Sequence, residues 1–267
     1  NMLRKHAKIE PERFYYHCDQ LGMLVWQDMV NGGSAYKHWF VTYLATLMNW
    51  NHISFSDDEK HAGLLSRLHP EGKDEFRREI TETIAFLYNH PSIVVWVPFN
   101  EGWGQFDALA ACEQIRTLDS SRLVDHASGW FDQKGGDILS LHYYFLKLKF
   151  KPESKRAAAL TEFGGYSLSI PGHSCCKKVY GYKKFNSTGT LTYGYIDLIR
   201  QTILPAVKKG IGATVYTQLS DIEEETNGIY TYDREICKID PDTLRKWNRA
   251  LKEAGECKTY ADHTTDH

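Results

Sequence analysis

Short apolar runs alternate with amphipathic segments along this chain, and that alternation restricts the fold more than any other feature. Each run is apolar throughout rather than at every second residue, and they occupy residues 22–28, 92–100, 123–128, 137–145, 157–165 and 211–221. Strands of this kind are buried on both faces, which is typical of a parallel sheet covered by helices. Residues 1–6 provide the end of a further strand.

Segments with helical periodicity lie between these runs, at residues 11–22, 73–91, 106–122, 195–210 and 240–255. Pro11 and Gly22 suit the start and the end of the first helix, and Pro91 stops the second. Asp240 or Asp242 provides the N-terminal cap of the last helix.

The strand count comes one short of a closed barrel of eight parallel strands. An open doubly wound sheet is the competing architecture, but it needs a glycine-rich phosphate loop after an early strand, and the sequence has none. We therefore predict an α/β chain that forms a (β/α)8 TIM barrel, incomplete at its N-terminal end. The barrel is expected to occupy residues 1–255, and residues 256–267 a polar C-terminal tail.

Composition excludes several classes of protein. The chain has 267 residues, of which 42% are hydrophobic and 25% charged, and a net charge of -2. These values are typical of a globular protein and give no sign of a nucleic-acid partner. No apolar run approaches the ~18 residues of a transmembrane helix, so we expect no membrane partner. The six cysteines show no CxxC spacing, which argues against a disulfide framework.

Polar side chains follow several of the predicted strands, and two of them are glutamates in similar settings. Glu101 lies in "PFNEGWG" and Glu162 in "TEFGG", each with glycine close behind it. The carboxyl ends of barrel strands form the face that carries the active site. Two facing carboxylates are the groups that glycoside hydrolysis requires, one as a protonated acid and one as an ionised nucleophile or base.

Seven stretches of the chain resemble, in this order, the catalytic barrel of glycoside hydrolase family 2, which includes β-galactosidases, β-glucuronidases and β-mannosidases. They are "NMLRKH", "CDQLGMLVWQD", "HPSIVVWVPFNEGWG", "SRLVDHASGW", "DILSLHYY", "LTEFGGYS" and "ATVYTQLSDIEEETNGIYTYDRE". The resemblance extends over nearly the whole chain. Its most specific parts are the Asn100–Glu101 pair and the glutamate before Phe-Gly-Gly, Glu162.

The resemblance implies a retaining double displacement. Glu101 would be the general acid and base, Glu162 the nucleophile, and Asn100 the hydrogen-bond partner of the sugar 2-hydroxyl. The two carboxyl groups would then lie about 5–5.5 Å apart. Trp103 has two open interpretations, as an aromatic face for the sugar or as a rim residue that packs against a loop.

Four further residues are predicted to bind substrate on the strength of the resemblance. Arg4 and His6 match the end of the family's second strand, although one residue fewer separates them than in the usual pattern. Arg4 would bond Glu162 and hold it ionised. Tyr144 matches a tyrosine that touches the nucleophile, and His142 stands where the glucuronidases carry asparagine.

The chain departs from the family at its N-terminal end, where the first strand and the domains that normally precede the barrel are missing. We therefore expect a fragment with little or no activity by itself, whose partners are a carbohydrate substrate and the missing domains of the same protein. The sequence leaves open whether the protein forms a homo-oligomer, and it predicts no cellular compartment. The β-galactosidases hold Mg²⁺ through a Glu-Thr-His stretch where this chain has residues 32–34, Gly-Gly-Ser. We expect neither a metal nor a cofactor.

The region after the last strand bears on the substrate. It lacks the Asn-x-Lys motif by which glucuronidases recognise a sugar carboxylate, and residues 223–225 are three consecutive acids that would repel a uronate. The prediction is an exo-acting β-glycosidase for a neutral sugar, with a β-galactoside as first choice because that activity is frequent in the family. Two alternatives remain: an endo-acting clan relative such as a mannanase, and a barrel that binds carbohydrate without catalysis.

Overall fold

The computed structural model describes residues 1–35, 37, 39–51, 53–144, 148–176 and 178–261. The chain forms two compact units. The first comprises Asn1–His142 and Glu153–Ala157, and the second comprises Tyr143–Pro152 and the chain from Ala158 onwards. Among the described residues, no helix combines the length and the apolar character needed to cross a membrane.

Four parallel strands form the sheet of the first unit, and each lies beside the next one along the chain. They are β1 (Met2–Lys5), β2 (Leu24–Asp28), β3 (Ile93–Val97) and β4 (Leu123–Val124). A doubly wound sheet reverses its strand order, whereas a barrel wall adds strands in sequence. This order therefore agrees with the predicted barrel, and β1 confirms the strand expected at the N-terminal end. A fifth strand, β5 (Ile138–Tyr143), belongs to this unit as far as His142.

The helices of the first unit are α1 (Glu12–Leu21), α2 (Ala45–Trp50), α3 (Pro70–Leu87) and α4 (Ala108–Leu118). Helix α1 follows Pro11 and ends at Gly22, as predicted, because glycine adopts the left-handed φ of 64° that closes the helix. Residues 29–69 were assigned no element from the sequence. They contain α2 and, just before it, the π-helical segment Trp39–Leu44.

The core of the first unit lies between its sheet and helices α1, α3 and α4. Val25 on β2 and Trp96 on β3 are fully buried, and they belong to the same cluster as Ile80 and Ile84 of α3. Each large apolar side chain that is fully buried stabilises the unit by about 1.5–3 kcal/mol. This packing fixes β2 and β3, and with them the positions at which their carboxyl ends emerge.

Asp119 joins the end of α4 to β3. Its Oδ2 accepts hydrogen bonds from Trp96 Nε1 at 2.9 Å and from Arg122 Nη1 at 2.5 Å, and its Oδ1 accepts from the Ser121 hydroxyl at 2.6 Å. Burial acts to raise the pKa of Asp119, but the bonds from Ser121, Arg122 and Trp96 outweigh it and lower the pKa to about 2.

Replacement of Asp119 by asparagine should make the first unit less sensitive to acid. A carboxyl whose pKa is lowered by folding stabilises the protein above its unfolded pKa of 3.8, and this stabilisation is lost as the pH falls toward about 2. We expect Asp119→Asn to cost about 2 kcal/mol of unfolding free energy at pH 6 and much less at pH 2.5. Urea unfolding at the two pH values measures this, and equal costs at both would contradict the assignment.

The second unit contains the parallel pair β6 (Ala157–Gly164) and β9 (Ile211–Thr217), and a short parallel pair, β7 (Tyr166–Ser167) with β8 (Lys183–Lys184). Its helices are α5 (Thr188–Leu198), α6 (Leu204–Lys208) and α7 (Pro241–Ala261), with the π-helical segment Ile199–Ile203 between the first two. The predicted helix at 195–210 therefore starts earlier, at Thr188, because Ser187 caps it by accepting from Thr190 N.

Asp240 is the cap of α7, since its Oδ2 accepts from Thr243 N at 2.7 Å. This resolves the choice between Asp240 and Asp242. Helix α7 continues past residue 255 to Ala261, and residues 262–267 of the expected polar tail lie outside the described residues. The proposed division of the chain at residue 255 stays a prediction.

A buried ion pair holds the segment that follows β9. Lys238 Nζ lies 2.6 Å from Asp221 Oδ1 and also donates to the backbone oxygens of Leu168 and Thr226. Burial lowers the pKa of Lys238 and raises that of Asp221, yet the pair is compensated by these hydrogen bonds. The acidic residues 223–225 lie on the segment that this pair fixes.

Candidate active site

A left-handed turn directly after β3 presents Glu101. The φ angles of Glu101, Gly102 and Gly104 are 51°, 74° and 67°, a conformation that a residue with a side chain rarely adopts. A Cβ at Gly102 would lie 2.3 Å from Cδ2 of the buried Phe131. The backbone N–H of Glu101 donates to Ser128 O at 2.9 Å. The glycines thus allow a tight, buried turn that sets the direction of the Glu101 side chain.

Glu101 is held by a histidine from β5. Its Oε1 lies 2.7 Å from Nδ1 of His142, and the side chains of Glu101 and His142 are 28% and 0% exposed. Gly129 lies against the imidazole, because a Cβ there would be 2.6 Å from His142 Nδ1. The ring therefore has a fixed position, with one nitrogen directed at a partly accessible carboxylate.

Arg4, at the end of β1, joins two residues at the ends of neighbouring strands. Its guanidinium donates to both oxygens of Asp28, at 3.0 and 2.9 Å, and to Oδ1 of Asn100 at 2.8 Å. His6 Nδ1 lies 3.0 Å from Asp28 Oδ2. Burial acts to raise the pKa of Asp28, but Arg4 and His6 outweigh it and hold that pKa below its usual value. Asp28 is thus an ionised anchor for Arg4.

Trp103 is half-buried beside the same turn. Its Nε1 donates to Ser34 O at 3.4 Å, and its backbone oxygen accepts from Asn31 Nδ2 at 2.7 Å. These bonds position the indole without deciding between its two predicted roles.

Glu162 lies on β6 in the second unit and has a tyrosine as its partner. The Tyr144 hydroxyl donates to Glu162 Oε2 and lies 3.5 Å from Thr217 Oγ1 on β9. The Tyr144 ring stacks on Tyr182, with centroids 4.1 Å apart and planes 20° apart. The contact that the resemblance implied between Tyr144 and Glu162 is therefore present.

The predicted site residues separate by unit. Arg4, His6, Asn100, Trp103, Glu101 and His142 lie in the first, whereas Tyr144 and Glu162 lie in the second. The separation of the two glutamates and a bond from Arg4 to Glu162 both stay predictions. Sequence reasoning did not identify Asp28 as the partner of Arg4, although the two residues lie near the ends of β1 and β2, which are adjacent in sequence.

One cluster of the second unit has donors suited to a cation. His173 Nδ1 lies 2.7 Å from Asp233 Oδ2 and 3.8 Å from Glu235 Oε2. Asp233 already accepts from the Thr231 hydroxyl at 2.6 Å, and all three side chains are exposed or half-buried, so the contacts suit an ordinary surface turn. At residues 32–34, where no metal was expected, Ser34 N donates to Ser66 O. The expected lack of a metal stays a prediction.

Residues 9–202 match the family model described as "Glycosyl hydrolases family 2, TIM barrel domain". β-Galactosidase from Leuconostoc mesenteroides is 25% identical over 275 residues, which cover 97% of this chain and 23% of that protein. β-Mannosidase B from Thermothelomyces thermophilus is 32% identical over 94 residues, which cover 35% of this chain and 8% of that protein.

Two solved structures share the fold. β-D-Glucuronidase from Dictyoglomus thermophilum superposes with a TM-score of 0.62 at 14% identity, covering 93% of this chain and 44% of that one. A GH2 β-galacturonidase from Eisenbergiella tayi superposes with a TM-score of 0.55 at 19% identity, covering 92% and 44%. The chain thus spans less than half of these proteins, and the predicted fold class is confirmed.

The turn at Glu101 should not tolerate a side chain at Gly102. We expect Gly102→Ala to lower the unfolding free energy by about 1–3 kcal/mol, because the left-handed φ is strained for alanine and the new Cβ meets Phe131. Gly189→Ala is the matched control, since Gly189 lies in α5 with open space around it and alanine favours the helix. Urea unfolding measures both, and equal stability of the two variants would contradict the strained turn.

Proposed function

This chain belongs to glycosyl hydrolase family 2, and on that premise we propose that it forms the catalytic barrel of a retaining exo-β-glycosidase. One observation carries the proposal: in each unit a glutamate on or just after a strand has its carboxylate hydrogen-bonded by a residue at or just after the end of β5. Glu101 is bonded by His142, and Glu162 by Tyr144. Glycoside hydrolysis requires such a pair of positioned carboxyl groups.

Glu101 acts as the general acid and base. Glu101 is partly accessible, whereas its partner His142 is buried. His142 fixes Oε1 of the carboxyl, and the other oxygen faces the substrate. In the first step Glu101 gives its proton to the leaving oxygen, and in the second it takes a proton from water. A turn that cannot relax keeps this carboxyl in place for both steps.

Glu162 acts as the nucleophile and forms the glycosyl ester. The Tyr144 hydroxyl donates to Oε2, and a hydrogen bond to the ionised carboxylate favours the ionised form that attacks the anomeric carbon. The stacked Tyr182 limits the motion of the tyrosine. Water then hydrolyses the ester and regenerates Glu162.

Asn100 and Arg4 bind the sugar beside Glu101. Arg4 donates to Asn100 Oδ1 and thereby turns the amide so that its Nδ2 donates to the substrate. A hydroxyl next to the anomeric carbon is the suitable acceptor, because hydrogen bonds there strengthen in the transition state. Trp103, anchored by Ser34 and Asn31, supplies an apolar face for the sugar ring.

The substrate that we propose is a neutral β-hexoside. Residues 223–225 are acidic and lie on the segment fixed by the Lys238–Asp221 pair, so a uronate would meet negative charge. A β-galactoside is the first candidate, since a β-galactosidase aligns with 97% of the chain. A β-mannoside is the second, since shorter alignments of higher identity are with β-mannosidases. Because the chain spans 23% of that β-galactosidase and 44% of the glucuronidase, activity is measured on the longest form of the protein.

The assignment of the nucleophile is tested with 2-deoxy-2-fluoro β-galactosides and β-mannosides that carry a dinitrophenyl leaving group. On the longest form of the protein we expect a covalent glycosyl ester on Glu162, mapped by mass spectrometry of peptides. Glu162→Gln should lower kcat for dinitrophenyl glycosides by at least about 10³-fold, since the covalent step is removed. Glu113→Gln is the control, because Glu113 is an exposed residue of α4. Label on another residue, or turnover that survives in Glu162→Gln, would contradict the assignment.

A further inference from the structure

A chain of hydrogen-bonded side chains runs from Glu101 into the interior of the first unit. His142 Nδ1 lies 2.7 Å from Glu101 Oε1, and its Nε2 lies 3.0 Å from Ser128 Oγ. Ser128 Oγ lies 3.2 Å from Ser140 Oγ, and the Ser140 hydroxyl donates to Asp125 Oδ2 at 2.9 Å. We call this sequence of Asp125, Ser140, Ser128 and His142 the Asp125 relay.

The relay is buried along its whole length. Counted as whole residues with their backbone, Asp125 and Ser128 are 0% exposed, and Ser140 and His142 are each 8% exposed. Asp125 Oδ1 is buried and has no hydrogen-bond partner within the part of the chain that the structure describes. Burial of a carboxyl group is costly when only one of its oxygens is hydrogen-bonded. The presence of Asp125 at this position therefore needs an explanation other than stability. At its outer end the relay contacts the partly accessible Glu101 through His142.

The number of protons in the relay determines the direction of every bond. A hydroxyl has one proton to donate, and an ionised carboxylate can only accept. With Asp125 ionised, Ser140 gives its proton to Asp125, so the bond between the serines requires Ser128 as donor. Ser128 then accepts from His142 Nε2–H. In a neutral imidazole the remaining nitrogen, Nδ1, is an acceptor, and it accepts from a Glu101 carboxyl that carries a proton.

A proton on Asp125 reverses all of these bonds. Asp125 donates to Ser140, Ser140 to Ser128, and Ser128 to His142 Nε2, so that Nδ1–H donates to an ionised Glu101 carboxylate. The two arrangements contain the same protons. In the conversion Glu101 transfers its proton to His142 Nδ1, and His142 transfers the proton on Nε2 to Ser128. Ser128 then transfers its hydroxyl proton to Ser140, and Ser140 transfers its own to Asp125.

Both ionisation states of Asp125 are accessible near neutral pH. Burial raises its pKa to about 6, although Arg4, Ser140 and His126 act to lower it and Asp28 adds to the rise. All of these groups belong to the first unit.

We propose that the Asp125 relay sets the tautomer of His142. The tautomer in turn decides whether His142 Nδ1 accepts a hydrogen bond from the Glu101 carboxyl or donates one to it. Asp125 and Ser140 are then positioning residues for the acid step, a role that rests on the function proposed for Glu101. With Asp125 ionised, the relay presents Glu101 in the protonated form that delivers a proton to a leaving group.

The first experiment needs no activity. Long-range proton–nitrogen NMR of the full chain with ¹⁵N-labelled histidine gives the tautomer of His142, whose signals are assigned by their loss in His142→Gln. We expect the Nε2–H tautomer at pH 7.5, a mixture of tautomers in Ser140→Ala, and the wild-type signals in Ser140→Thr, which keeps the hydroxyl. Ser92→Ala is the control, since Ser92 is equally buried just before β3. A tautomer that Ser140→Ala does not change overturns the proposal.

The second experiment separates the acid step from stability. Phenyl β-glycosides need a proton on their leaving group, whereas dinitrophenyl β-glycosides do not. We expect Ser140→Ala and Ser128→Ala to lower kcat/KM about tenfold for phenyl substrates and less than about threefold for dinitrophenyl substrates, with Ser140→Thr and Ser92→Ala near wild type. Equal losses on both substrates would mean a structural role only, and they overturn the proposal.

Failure of the relay and failure of the proposed function give different results. If the longest form of the protein turns over no glycoside, the proposed function fails, and the NMR result alone decides whether the relay sets the tautomer. If turnover occurs and depends on Glu162 but the serine variants behave as wild type with both leaving groups, the proposed function stands and the relay is wrong.

Discussion

The left-handed turn that follows β3 is the constraint on which the rest of the candidate site depends. Glu101 adopts a φ that is unfavourable for a residue with a side chain, and it is held there by Gly102 against Phe131 and by its N–H bond to Ser128. Because that turn cannot relax, the carboxyl meets His142 at a fixed distance. The strain lies at the residue that the proposed chemistry needs to be most rigid.

The parallel strands explain why the polar residues of the first unit converge. Strands β1, β2 and β3 lie side by side, and their carboxyl ends deliver Arg4, Asp28 and Asn100 to one edge. None of these side chains lies near another in sequence. Their ion pair and hydrogen bonds compensate the burial of charge, which would otherwise be costly. The sheet can therefore hold these charged and polar side chains at its edge because they are bonded to one another.

Most strands and helices could be predicted from the sequence because each has a local cause, but the two-residue strands β7 and β8 could not. Apolar runs gave β2, β3 and β9, and Gly22 gave the end of α1. Residues 29–69 could not be predicted, since their π-helical segment and short helix follow no regular period. The two glutamates were predicted as catalytic from their strand-end positions, and that role stays a prediction. Asp125, Ser128 and Ser140 were not joined into a relay, because their contacts depend on the registration of separate strands.

The central claim is that Glu101 and Glu162 carry out a double displacement. The stereochemistry of the first product tests it most directly. ¹H NMR during the first minutes of hydrolysis of a dinitrophenyl β-galactoside or β-mannoside, before the free sugar mutarotates, shows which anomer is released. Our account predicts the β-anomer, because two inversions restore the starting configuration. Release of the α-anomer would mean a single displacement by water and would contradict the role of Glu162 as nucleophile.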